Sequence, residues 1–485
     1  MKIRKIELQN NPFFGNKSFI FEDSNGNIYN NIVLAGENGS GKTQLLNIIY
    51  DFCNYSLNGS ISNEIRSFFI AMSEEELGYI KGRVRENLDL INPTGEFIVI
   101  LDFTEGVNSW HRMKIRYEKI EDDGSKCFKE LNSSWFFNDV EKDFIFRSIY
   151  STVEINYDPG VAASVTAKEV DEEVKKSLRS GINLASEIQQ LLIDVQTNDA
   201  NDLLTWVDEH PGEAPPDNIK NVRINRFRNA FLNVFDNLNF SKIINVKNRK
   251  KVIFKKGNHE VDISSLSSGE KQIVFRGAFL LQNQVSSKDC CILIDEPEIS
   301  LHPIWQTKIF DYYRNLFVDE SKCQTSQIFM ATHSQYVLKS ALNNSSNTLI
   351  VLLENSSSGT VVFPASSPFV LPIITSAEIN YNAFNIISND YHIELYGYLQ
   401  NKVAELNNKS DCTVKKCDNY ILNSKWYDST KHYKNYVYIN SNGKKYEYNT
   451  LPSYIRNCID HPDSSKVFTQ EELRISIELL IRLCK

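Results

Sequence analysis

Three features of the sequence predict an α/β fold built on a parallel sheet, with a helical and strand-forming insert and a smaller, mainly helical C-terminal domain. The run Cys291–Ile294 is short, apolar and β-branched in part, and it ends on two adjacent carboxylates, Asp295 and Glu296. Such a run reads as a strand buried on both faces. A second apolar run, NIVLAG (31–36), enters the glycine-rich loop GENGSGKT (36–43), and QLLNIIYDF follows with apolar residues at helical spacing. Strand, loop and helix in that order place polar groups at the carboxyl ends of strands, where open α/β sheets keep their ligand crevice. Beyond residue 376 the apolar spacing is mostly helical.

At 485 residues the chain exceeds one ordinary core, which predicts two to three domains. The boundaries read from the sequence are a head formed by 1–50 and 235–365, an insert at 51–234, and a C-terminal domain at 376–485. Apolar content of 41% with 24% charged residues is ordinary for a globular chain. A formal net charge of -8 excludes wholesale coating of nucleic acid but leaves room for a local basic face. The nine cysteines form no CxxC pair, and Cys412 and Cys417 have no neighbours at zinc-finger spacing, so reduced thiols are expected. No segment reaches the ~18–20 apolar residues of a membrane span, and the amino terminus has no signal-peptide core. The expectation is a cytoplasmic protein without membrane contact.

In chain order, IRKIEL and SFIFED alternate like strands around turn-forming NNPFFGN and DSNGN. The loop Gly36–Thr43 matches the G-x-x-x-x-G-K-S/T pattern in full. Gly36, Asn38, Gly39, Ser40 and Gly41 let backbone N–H groups turn inward on phosphate oxygens, and the helix N-terminus adds its dipole. Lys42 would reach the β- and γ-phosphates of a nucleoside triphosphate, and the Thr43 hydroxyl would ligate magnesium. FIVILDF (97–103) and HRMKIRY (111–117) read as strands around an EGVNSW turn. Between 174 and 195, Leu178, Ile182, Ile188, Leu191, Leu192 and Val195 share one helical face, too short a pattern for a coiled-coil arm. HPGEAPPDN breaks the chain, and INRFRNAFLNVFDNL resumes as an amphipathic helix. Lys247, Arg249, Lys250, Lys251, Lys255 and Lys256 crowd a hairpin-like segment, either a solvated edge guarded by lysines or a contact for nucleic acid or a partner. LSSGE (266–270) precedes a helix with serines in its cap region, about twenty residues before the two-carboxylate strand. The strand QIFMATHSQ (327–335) brings His333 to its end, within reach of a γ-phosphate.

Taken together, GENGSGKT, LSSGE, CCILIDE and THS resemble Walker A, signature, Walker B and switch histidine in the order of an ABC-type P-loop ATPase head. The form DEPEISLHPIWQ is similar to the branch containing OLD, RecF and SMC proteins, although His302 stands where a D-loop aspartate is usual. The resemblance implies that Lys42 and Thr43 bind ATP and Mg2+, that Asp295 holds the ion, that Glu296 positions the attacking water and that His333 senses the γ-phosphate. It implies further that Ser267 and Gly269 cap the γ-phosphate of a second protomer. With one copy of each element per chain, two sites need a homodimer or a higher homo-oligomer.

The tail adds AFNIISNDYHIELYGYLQNKVAEL as a helix, a polar stretch at 407–448 as surface loops and short strands, and FTQEEL as a helix start with Thr469 at the cap and Glu472 at the capping-box position. YIRNCIDHP resembles the Arg–His motif of HEPN domains through Arg456 and His461. Two readings stand: a ribonuclease in which histidine acts as general acid and base beside the arginine, or a helical module for dimerisation or partner docking. The tail carries no Asp-x-Asp of a TOPRIM metal site. The whole is similar to the ATPase subunits of the Septu and PARIS anti-phage systems, which implies a sensor or motor controlling a separately encoded nuclease or toxin. A self-contained HEPN toxin and a RecF-like DNA-repair ATPase are the alternatives.

Overall fold

A computed structural model describes residues 1–53, 63–73, 76–78, 92, 95–104, 113–121, 123–132, 146–153, 164–166, 168, 170, 178–181, 183–216, 219, 222–232, 238–246, 249–282, 288–319, 321–343, 347–356, 359–364, 369–408, 411–439, 443–462 and 465–485. The chain divides into two compact units, Met1–Val362 and Phe363–Lys485.

The first unit opens with β1 (Lys2–Asn11), β2 (Gly15–Ile20), β3 (Asn31–Ala35) and α1 (Lys42–Cys53). Next come β4 (Ile65–Ala71), β5 (Phe97–Asp102), β6 (Met113–Ile120), β7 (Lys126–Asn132), β8 (Ser148–Ser151) and β9 (Leu178–Arg179). Two helices follow, α2 (Leu184–Glu209) and α3 (Val222–Leu232), before the small antiparallel sheet of β10 (Leu238–Val246), β11 (Arg249–Lys256) and β12 (His259–Asp262). The rest of the unit is α4 (Ser268–Leu281), β13 (Cys291–Asp295), α5 (Pro303–Asn315), β14 (Gln327–Thr332), α6 (Gln335–Leu342), β15 (Thr348–Ser356) and β16 (Gly359–Pro364).

Two larger sheets organise these elements. The seven-stranded sheet has the order β16-β15-β3-β14-β13-β8-β9 and is parallel from β15 to β9. Its central strands β3, β13 and β14 are buried at every residue, which explains their unbroken apolar runs. The six-stranded sheet, β2-β1-β4-β5-β6-β7, is antiparallel throughout. One apolar core joins both sheets through α1, whose Phe52 stacks on Phe68 of β4 with ring centroids 3.9 Å apart.

Several sequence expectations change here. Residues 51–234, set apart as an insert, supply β4–β7 to the antiparallel sheet and β8 and β9 to the parallel one, so they are woven into the head. Leu178 is not helical: it pairs with Ile149 in a parallel strand, and the helix begins only at Leu184. That helix runs for 26 residues, well past Val195, because its later turns face solvent and need no apolar stripe; Leu204 is 62% exposed. Ile182, the EGVNSW turn, His111, Arg112 and Lys247 lie outside the described residues. The lysine-rich segment is a hairpin whose Lys251 pairs with Asp262 and whose Lys256 pairs with Glu270.

The second unit contains α7 (Ser376–Phe384), α8 (Asn389–Leu406), α9 (Val414–Leu422), the single turn α10 (Ser429–His432), the hairpin β17 (Tyr433–Ile439) and β18 (Lys445–Thr450), α11 (Leu451–Asp460) and α12 (Gln470–Cys484). The helix expected from Ala383 to Leu406 is interrupted. Asn385 ends α7 in the left-handed conformation at φ 52°, and Ser388 caps α8 by accepting from the Tyr391 N–H. Within the polar stretch 407–448, α9 forms because Thr413 caps it and Cys417 and Ile421 bury one face. Thr469 and Glu472 make the reciprocal capping box expected from FTQEEL. Among its buried polar groups, Asp418 accepts from both Asn449 and Thr450, and Tyr396 shares a hydrogen bond with Ser453. Among the described residues, no helix is long and apolar enough to cross a membrane.

Candidate functional site

The glycine loop leaves the buried strand β3 and enters α1 under tight steric limits. A Cβ at Gly36 would stand 2.1 Å from the Leu353 carbonyl oxygen on neighbouring β15. At Gly41 the backbone has φ +100° and a Cβ would meet the Phe13 ring at 2.4 Å. Gly39, at φ 78°, also takes the left-handed region. Asn38 is exposed on the loop, whereas Ser40 and Lys42 are buried. The Lys42 ammonium donates to Gly36 O at 2.8 Å, Glu37 O at 2.9 Å and Ser40 Oγ at 3.4 Å, curling back into its own loop. Burial lowers its pKa to about 8, against the opposing pull of Glu296, Asp295 and Glu298.

Asp295 closes β13 directly opposite. Its Oδ2 accepts from Thr43 Oγ1 at 2.9 Å and from the Tyr150 hydroxyl at 3.4 Å, while Oδ1 is buried without a hydrogen-bond partner among the described residues. Burial raises the Asp295 pKa, and the Thr43 hydrogen bond only partly offsets this. A buried carboxylate oxygen left open beside a threonine hydroxyl is the donor set a magnesium ion takes when it is also held by substrate phosphates. Among the described residues, no group of three or more His, Cys, Asp or Glu side chains stands ready to hold a metal by itself.

Glu296 follows in the left-handed region at φ 44°, and its N–H still bonds to Ala331 O at 2.9 Å. The chain thus leaves the sheet with a reversed twist that turns the Glu296 carboxylate toward His333, whose Nε2 lies 3.2 Å away. Burial, reinforced by the Lys42 charge, lowers the His333 pKa, so the ring is a neutral hydrogen-bonding group at neutral pH. Glu298 fixes the backbone there by accepting from the His333 N–H at 2.6 Å. Its own pKa is raised by burial.

Ser267 caps α4 in a capping box with Glu270, and Gly269 sits so close to Ser300 O that a Cβ would stand at 2.7 Å. Ser267 therefore contacts Glu270, and Gly269 abuts the loop after β13; among the described residues neither hydrogen-bonds to the Gly36–Thr43 loop. His302 caps α5 through Nδ1, which accepts from the Ile304 N–H.

Sequence reasoning missed Arg276. This side chain is 1% exposed, and its guanidinium donates to Thr152 O and Asp295 O at 2.6 Å and to Glu296 O at 3.1 Å. One buried cation thus ties α4, the segment after β8 and the two-carboxylate turn together. Gln272 adds a bond to Pro297 O at 2.8 Å. The available signal was an arginine inside the apolar run IVFRGAFLL, because a charge is buried only when it is hydrogen-bonded. Tyr150 and Glu298 carried no comparable signal.

In the second unit, Arg456 and His461 are not brought together as a pair. Arg456 forms an ion pair with Asp460 at 2.6 Å and donates to Asn457 Oδ1. His461 ends α11 and stacks on Tyr438, with centroids 6.2 Å apart.

The family model of the AAA ATPase domain matches residues 1–338. The chain belongs to the AAA ATPase domain family. It is accordingly a nucleotide-binding ATPase, and the site above lies wholly within the matched residues. Among solved structures, this AAA ATPase is similar to an SMC head bound to the C-terminal winged-helix domain of ScpA, with 13% identity, 75% of this chain and 97% of that chain covered, and a TM-score of 0.40. An SMC head with an extended coiled coil, bound to the C-terminal domain of ScpA from Pyrococcus furiosus, gives 12% identity, coverage of 75% and 96%, and a TM-score of 0.40. The SMC head domain from Thermotoga maritima gives 13%, coverage of 76% and 100%, and 0.37. No curated protein matches the chain.

Proposed function

We propose that this ATPase works as a homodimer whose two sites are completed in trans, as the sensor or motor of a bacterial anti-phage defence system that controls a separately encoded nuclease. The observation that carries the dimer is the separation of parts. Lys42, Thr43, Asp295, Glu296 and His333 converge at the carboxyl ends of β3, β13 and β14, whereas Ser267 bonds to Glu270 and Gly269 abuts Ser300. A second copy presenting its Ser267 completes the site.

Within that site Lys42 exchanges its three loop acceptors for phosphate oxygens, and the loop N–H groups orient the phosphate chain. Thr43 and Asp295 would hold a magnesium ion, which neutralises phosphate charge during transfer. Glu296, paired with neutral His333, accepts a proton from the attacking water, and His333 is left to donate to the transferred phosphoryl group. Closure and release around ATP then alternate as a binary switch. The defence role and the nuclease partner rest on the resemblance of the motifs. The Arg456–Asp460 ion pair favours a docking module over a ribonuclease for the second unit. The test is Glu296→Gln with ATP, followed by light scattering and phosphate release. Slowed turnover with an accumulated dimer is expected; turnover at the parental rate contradicts the assignment.

A further inference from the structure

Outside the family-matched residues, the second unit holds a concave site of about 930 Å³ that the ATPase does not use. The carboxyl ends of α8, α9 and α12 converge on it, with the 423–426 turn forming one wall. Lys402, Lys425, Arg482 and Lys485 line it, and Glu405 supplies the one acidic side chain of the lining. Helix C-termini attract cations, and that accounts for Lys402, whose ammonium donates to Cys484 O at 2.6 Å. Lys425 and Arg482 exceed that need: among the described residues neither forms an ion pair, and both lie over the Trp426 ring instead. The setting agrees: residues 363–485 carry 14 Lys and Arg against 13 Asp and Glu, a net +1, in a chain whose total is -8.

Aromatic faces complete the site. Trp426 is 45% exposed, with the Lys425 ammonium 5.0 Å and the Arg482 guanidinium 6.0 Å from its ring centroid, and Tyr420 is 37% exposed beside it. Exposed tryptophan costs solubility, and the two cations over it are solvent-exposed and held there only by weak cation–π contacts, which a flat ligand can replace. The volume suits one nucleotide-sized group. An acidic peptide would match the charge but would leave the indole face unused, whereas a strand of nucleotides supplies both phosphates and flat bases.

We infer that the basic, tryptophan-bearing hollow at the ends of α8, α9 and α12 binds single-stranded nucleic acid. One base stacks on Trp426 in place of the Lys425 ammonium, which turns to a flanking phosphate together with Arg482. Affinity should therefore depend on both the ring and the cations, and fall with salt.

The test is fluorescence anisotropy of the full chain with an end-labelled oligothymidylate of about 20 nucleotides, long enough to cover one such site. Trp426→Ala should weaken binding about tenfold, and Trp426→Phe should restore most of it, since stacking on an aromatic face contributes that order of affinity per base. Lys425→Glu with Arg482→Glu should weaken binding further and flatten the slope of log K against log salt by about 1.4, two phosphate contacts' worth. Circular dichroism melts of the variants should match the parent, since these side chains are exposed. The proposal is overturned if the parent does not bind the strand, if these variants bind as the parent does, or if polyglutamate competes as well as unlabelled strand.

Discussion

Arg276→Met removes a buried cation while keeping much of the side-chain volume. The guanidinium makes short bonds to three carbonyls, Thr152 O, Asp295 O and Glu296 O; the fourth contact, Ser151 O at 3.5 Å, is marginal. Methionine leaves Thr152 O and Asp295 O without their short bonds, at roughly 1.5 kcal/mol each, while Glu296 O keeps its 3.4 Å bond from the Ile299 N–H, so unit 1 should lose about 3 kcal/mol of stability. With an unfolding entropy of about 2.1 cal/mol/K per residue over this unit, that is a fall in melting temperature of roughly 4 °C. Arg276→Lys keeps the charge but reaches fewer of the carbonyls, and should lose about half as much. The same bonds position the Asp295–Glu296 turn, so Arg276→Met should lower kcat well beyond any change in KM for ATP. Differential scanning fluorimetry and steady-state ATP turnover read the two effects. A melting shift below about 1 °C together with an unchanged kcat would refute the clamp.

Other outcomes follow from the same geometry. Lys42 has a pKa lowered to about 8 in the nucleotide-free site, and a bound phosphate favours its charged form, so binding takes up a proton at alkaline pH. ATP affinity should therefore be level below pH 7 and fall about tenfold between pH 7 and 9, most of it above pH 8, in calorimetric titrations; a flat profile across that range rules the assignment out. The sign for stability without nucleotide is opposite in direction: the folded pKa lies below that of the unfolded chain, so stability drops as pH falls through about 8. Gly36→Ala places a Cβ 2.1 Å from Leu353 O, a backbone atom that cannot step aside, so nucleotide binding should be lost in a fluorescent-nucleotide assay. Retention of full affinity would show that the loop and β15 can separate.

Much of this was legible in the sequence where local rules suffice. The glycine loop, the two carboxylates and the Thr469–Glu472 cap declare themselves because their spacing is their mechanism. Arg276 could be noticed but not interpreted, since its acceptors come from residues 151–152 and 295–296, far apart in the chain. Leu178 fitted a helical stripe, yet pairing with Ile149 overrode that spacing. The same limit hid the role of 51–234: strands β4–β9 reveal their sheet only through distant partners. In the second unit α9 was masked by its lysines and asparagines, although Val414, Cys417 and Ile421 keep helical spacing. The Arg456–His461 spacing, conversely, suggested a pair that the Arg456–Asp460 bridge and the Tyr438 stack do not make.

The shared site is tested most directly by mixing two inactive chains. Lys42→Ala removes the phosphate anchor but leaves an intact Ser267, and Ser267→Arg blocks the signature while leaving an intact Lys42. Equal mixing puts half of all dimers in the mixed form, and each mixed dimer holds one complete site, so ATP turnover should return to about a quarter of the parental rate per chain. A mixture no more active than its two components would contradict assembly in trans.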